Sequence, residues 1–169
     1  MEAAQPVFGG LTALGIIHTA ISLVAVFAGI VALCRDGQIH SRNTLGRIYL
    51  ITTVLTCLTG FGIFQHGGFG NAHVLGIVTL LVLGAALLAE YKALFGRHSA
   101  AVRVVSYSLS FTFHWIPAIT ETTTRLPLGA PLLASPEVPE LKAVAGVLLL
   151  LFVMGAALQL RRLKQQGDH

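Results

Sequence analysis

Apolar residues run in five long blocks along the chain, and inside the blocks polar positions are too sparse to mark a solvent-facing side. About 20 apolar residues in a helix cross roughly 30 Å of hydrocarbon. The blocks therefore predict five transmembrane helices, at about Phe8 to Leu33, Thr44 to Phe64, Ala72 to Leu94, Val102 to Ile119 and Leu141 to Leu160. The fourth block, "VRVVSYSLSFTFHWIPAI", carries serines, a threonine and a histidine, so it is expected to line the interior rather than face lipid all round. Between the fourth and fifth blocks, "TRLPLGAPLLASPEVPE" holds four prolines and predicts an irregular connection.

Composition agrees with the pattern. Of 169 residues, 54% are hydrophobic and 11% charged, against about 25% charged in ordinary globular chains. The net charge of +4 does not imply nucleic acid in such a chain, because its distribution reports orientation. Arg35, Arg42, Arg47, Lys92, Arg97, Arg103, Arg161, Arg162 and Lys164 fall on one side of the predicted layout, and only Arg125 and Lys142 on the other. The positive-inside rule then places the N-terminus outside and the C-terminus in the cytoplasm, in a bacterial inner membrane. The start, "MEAAQPVFGG", lacks the basic region of a cleaved signal and is expected to be retained. Cys34 and Cys57 are read as core thiols rather than a disulfide or zinc pair.

"HSRNTLGRIY" at His40 is echoed by "HSAAVRVVSY" at His98, each with a tyrosine nine residues after the histidine. Both stretches open an outward-running helix, which predicts two hairpins of the same sense. The expected fold is all-α: a four-helix bundle over 1–127, an outer Pro-rich loop over 128–140, a fifth helix over 141–160 and a cytoplasmic tail over 161–169.

The histidines carry the candidate chemistry, since ionisable groups at membrane depth are costly. In an up-down bundle the first and third helices are diagonal, as are the second and fourth. His18 with His73, and His40 with His98, are then candidate axial pairs for haem b, with Arg47 and Arg103 placed to pair propionates or a quinone carbonyl. This layout resembles the two-haem, four-helix cytochrome b architecture in helix count and histidine placement. A second reading gathers His66, His114 and Glu121, with His18 and His73, around zinc or copper. Along the fourth helix Tyr107, Phe111, His114, Ala118, Glu121 and Arg125 share one side if the helix continues past Pro117. The third reading is a non-catalytic scaffold or accessory subunit of a larger membrane complex; the expected partners are the lipid bilayer and a quinone or a partner redox subunit. HExxH, CxxC, Walker and GxGxxG motifs are absent.

The stretch "IHSRNTLGRIYL", with His40, Gly46, Arg47 and Tyr49, resembles an uncharacterised family of bacterial membrane proteins with a His followed by Gly-Arg-x-Tyr at a helix start. Matching positions continue with His73 in "FGNAHVLGI" and with His98, Arg103 and Tyr107, over roughly residues 10 to 127. The resemblance implies the helical membrane fold and the choice of histidines. It implies no reaction, and "RHSAAVRV" departs from it where a bulkier aromatic or Met is expected beside the His.

Overall fold

A computed structural model describes residues 12–64, 68–127, 130–136 and 138–167. The described residues are helical, without strands, in the order α1 (Ala13–Asp36), α2 (Thr44–Gly60), α3 (Asn71–Tyr91), a 3-10 turn at Gly96–His98, α4 (Ser99–Arg125) and α5 (Pro139–Gly167). Three of them, α1, α3 and Pro139–Gln165 of α5, are long and apolar enough to cross a membrane. The apolar α2 is 17 residues long, and α4 is the polar-faced one that the sequence marks as a lining helix.

Local chemistry sets the ends. Thr12 caps α1 by accepting from Gly15 N–H at 3.1 Å, and Gly37 ends it with φ 70°, donating to the Leu33 carbonyl. Only glycine takes that left-handed angle without cost. Asn43 caps α2 through Gly46 N–H at 2.7 Å. Gly46 is obligatory for a second reason, because a Cβ there would sit 1.7 Å from the His40 carbonyl oxygen. The glycine of the His…Gly-Arg-x-Tyr stretch thus lets the loop cross the first turn of α2.

Helix α4 continues through Pro117 to Arg125, although proline gives up its bond to the carbonyl four residues back. On its expected side Tyr107 and His114 are buried, whereas Glu121 is exposed and paired with Arg125. Helix α5 extends past Leu160 into the expected tail, as far as Gly167.

Helix α1 packs on α2, α3 on α4, α2 on α3 and α1 on α4, while α5 packs on α4. Small residues bring α1 close: Ala25, Ala28, Gly29 and Ala32 are buried. The centre is filled by Tyr49, Tyr107, Leu83 and Val104. Helices α2 and α4 reach across it through Tyr49 Oη to Ser110 Oγ at 2.7 Å and Thr53 Oγ1 to His114 Nε2 at 3.0 Å. Gln159 ties α5 to the rest, donating to the Gly37 carbonyl at 2.9 Å and accepting from Ser108 Oγ at 2.7 Å.

Candidate functional site

A cluster of buried polar side chains lies where α2 begins, α3 ends and α4 begins, around an acid at the end of the third apolar block. Glu90 closes the buried stripe of α3 that runs through Thr79, Leu83 and Ala86, and its side chain is 2% exposed. Its Oε2 accepts from Ser41 N–H at 3.2 Å, Ser41 Oγ at 3.0 Å and Tyr107 Oη at 2.9 Å. Tyr91 Oη meets Ser41 Oγ at 2.8 Å. The other oxygen, Oε1, is buried without a hydrogen bond among the described residues, and Arg42 Nε lies 3.7 Å from it. Leaving a carboxylate oxygen in that state is costly, because a buried charge is tolerated when its lone pairs are satisfied.

Beside Glu90 opens a cleft of about 330 Å³ lined by Arg42, Ala89, Glu90, Ala100 and Arg103. The Arg42 side chain, 65% exposed, donates to the Glu90 carbonyl at 2.9 Å and lies 5.7 Å over the Tyr91 ring. Arg103 donates to Gln38 Oε1 at 3.1 Å, which holds the start of α4 against the loop after α1. The cleft therefore joins two guanidiniums and one under-satisfied carboxylate: acceptors are wanted on one side and a donor on the other. A signal for Glu90 exists in the sequence: it is the lone acid at the end of an apolar block, on the same helical side as Thr79 and Leu83.

The histidines are spread over both ends, and their hydrogen bonds assign their tautomers. Half-buried His18 places Nδ1 3.0 Å from Thr59 Oγ1. Thr59 commits its own hydrogen to the Leu55 carbonyl, so His18 Nδ1 donates and Nε2 keeps its lone pair. At His73 the sense is reversed. Gly70 N–H donates to His73 Nδ1 at 3.1 Å, so the proton sits on Nε2, which is buried without a partner among the described residues. Phe64 and Phe69 stack on His73 at 5.1 Å and Phe61 at 6.5 Å. The end of α2 touches both imidazoles, since Gly60 lies against His18 and Phe61 against His73.

At the other end, His40 Nε2 accepts from Asn43 Nδ2 at 3.3 Å and exposed His98 accepts on Nε2 from Arg97 Nε at 3.1 Å. Arg47 is exposed on the first turn of α2.

A metal-ligating imidazole binds through one nitrogen and donates from the other. His18 meets that requirement at Nε2. His73, with its proton on Nε2, does not in this arrangement, and His40 and His98 already use Nε2 as acceptors. In this arrangement His18 alone of the four presents a ring nitrogen to a haem iron, whereas two bis-histidine haems would need all four. For the zinc or copper reading, the described residues contain no group of three or more His, Cys, Asp or Glu side chains placed to hold a metal ion. His114 is engaged with Thr53 and Tyr49, Glu121 with Arg125, and His66 lies outside the described residues. Cys57 is buried and Cys34 exposed.

Comparison with known proteins found no matching family model, curated protein or solved structure.

Proposed function

We propose that this chain is an integral membrane protein that works as a non-catalytic binding component, holding a ligand with an acidic group between Arg42 and Arg103 over Glu90. Its first four helices form a bundle of two like hairpins, α5 is a fifth span against α4, and the basic His40/His98 end faces the cytoplasm. The observation that carries this reading is the pairing of an under-satisfied buried carboxylate with two guanidiniums at the mouth of one cleft. Structural demand alone is met by Oε2, whose three donors already tie the loop before α2 and the start of α4 to the end of α3.

Native mass spectrometry of the full chain, purified in mild detergent, tests it. A retained molecule bearing phosphate or carboxylate is expected on the wild type and lost in Arg42→Ala/Arg103→Ala. Equal retention by the folded variant refutes the site.

One arrangement favours a second reading as a haem-b redox protein: Thr59 directs the His18 Nδ1 proton, which leaves the Nε2 lone pair without a partner among the described residues. Haem would supply one-electron chemistry there, with His18 as a ligand and its tautomer fixed by Thr59. The visible spectrum of the purified protein, oxidised and then reduced with dithionite, tests this reading. A Soret band bleached by His18→Ala supports it, and a colourless protein from haem-supplied cells refutes it.

A further inference from the structure

We propose that the ligand of the Arg42–Glu90–Arg103 cleft is a phosphoethanolamine group, its phosphate held by the arginines and its ammonium by Glu90 Oε1, an inference that rests on the binding reading above. Each half of the ligand answers a feature of the cleft. Arg103 and Arg42 supply planar forks of donors that match phosphate oxygens. Arg42 is mostly exposed, and its contact with Oε1 is long, at 3.7 Å. A phosphate that draws the Arg42 head outward replaces its bond to the Glu90 carbonyl and its contact with the Tyr91 ring by charge-assisted bonds to phosphate oxygens, and uncovers Oε1. That oxygen then needs a donor, and an N–H bearing cation both satisfies the lone pairs and replaces the charge that Arg42 withdrew.

The chemistry is selective. A purely anionic group, such as phosphoglycerol, serves the arginines and leaves Oε1 without a cation. A choline carries the positive charge but no N–H to donate. The cleft sits where α3 ends and α2 and α4 begin, beside a basic loop at one end of an apolar block, the level at which lipid headgroups lie. The shared chemistry comes from phosphatidylethanolamine or from a free phosphate ester.

The test uses the full chain in detergent and native mass spectrometry. Phosphatidylethanolamine, its mono- and dimethyl forms, phosphatidylcholine and phosphatidylglycerol are offered one at a time at equal concentration, and soluble phosphoethanolamine is a separate arm. The wild type is expected to retain phosphatidylethanolamine about tenfold better than phosphatidylcholine, the worth of a charge-assisted hydrogen bond to a buried carboxylate. Retention should fall in steps as N–H groups are replaced by methyls. In Glu90→Gln the phospholipids should still bind, with that discrimination reduced to within about twofold.

Equal retention of all five lipids by the wild type overturns the headgroup assignment while leaving the binding site standing. No retention of any arm overturns both readings. Retention of the lipid over the soluble ester assigns the membrane source, and the reverse assigns the free ester. Because the methyl series is read on the wild type, failure of Glu90→Gln to fold does not remove the test.

Discussion

Replacing Glu90 by leucine discriminates between a carboxylate that holds three helices together and one that is merely tolerated. Leucine is close in size, so the chief loss is of acceptors. Oε2 serves Ser41 N–H, Ser41 Oγ and Tyr107 Oη. Ser41 Oγ retains Tyr91 Oη as a partner, so two donors are orphaned, at residues 2% and 0% exposed. Each unsatisfied buried donor costs about 1–3 kcal/mol, which gives roughly 2–6 kcal/mol for Glu90→Leu. Glu90→Gln keeps a carbonyl for the same donors and loses the charge, at about 1 kcal/mol. Tyr107→Phe should be costly in the wild type and nearly free in the Glu90→Leu background, because its partner has already gone. Unfolding in mixed micelles, followed by far-UV circular dichroism against the mole fraction of denaturing detergent, measures the wild type and all four variants. Glu90→Leu within about 0.5 kcal/mol of the wild type would refute the network, as would equal costs of Tyr107→Phe in both backgrounds.

Packing around α1 and the loop before α2 gives two further outcomes in the same assay. A Cβ at Gly29 would lie 2.6 Å from Phe111 Cδ2 and 3.2 Å from Tyr49 Cδ2, so Gly29→Val should lose about 1–3 kcal/mol and recover part of it with Phe111→Ala. Gly46→Ala should cost more and find no such rescue, since its clash is with the His40 carbonyl at 1.7 Å, which is backbone rather than a movable side chain. A reporter enzyme active only in the cytoplasm, fused after His169, should be active, whereas one active only outside should be silent. The reverse result would overturn the proposed orientation.

The helices were legible because apolar runs of about 20 residues, bounded by polar loops, pair their backbone groups internally as helices. The echo at His40 and His98 was legible too, but the histidines drew attention that belongs to their neighbours. His40 and His98 are half-buried and exposed, whereas Tyr49 and Tyr107 are fully buried and Ser41 and Ser99 nearly so. Glu90 was hidden by non-locality. An acid between an apolar block and a basic loop reads as interfacial, and what buries it comes from Ser41 and Tyr107, 49 and 17 residues away. The pairing of His18 with His73 followed from helix order, which says nothing of tautomers. The contacts of His73 come from the Gly70 amide and three phenylalanines, and neither contribution has a periodicity to read. Whether α4 passes Pro117 was open for a related reason, since proline weakens a helix locally while packing against α3 and α5 acts along its whole length.

The two hairpins are alike in sequence and unlike in what their tyrosines do, and the difference locates the site. At the offset that sets His40 against His98, Tyr49 corresponds to Tyr107 and Ala32 to Glu90. Tyr107 finds its acceptor within its own hairpin, at Glu90. Tyr49 has a buried alanine at that offset in sequence, and its hydroxyl reaches across the centre to Ser110, which in turn donates to the Tyr107 carbonyl. One hairpin therefore spends its tyrosine on binding the other, with Phe111 and His114 packed about the same ring. The second hairpin keeps an acid that its tyrosine half-satisfies, while Ser41 of the first supplies the remaining donors. Had both hairpins kept the alanine, no carboxylate would need a partner. Had both kept the acid, two like charges would lie inside one apolar bundle, at a cost that pairing through neutral hydroxyls does not offset. A single buried acid among the described residues of the two hairpins, Glu90, is thus the arrangement that leaves Oε1 beside the arginines at a cost the rest of the fold offsets.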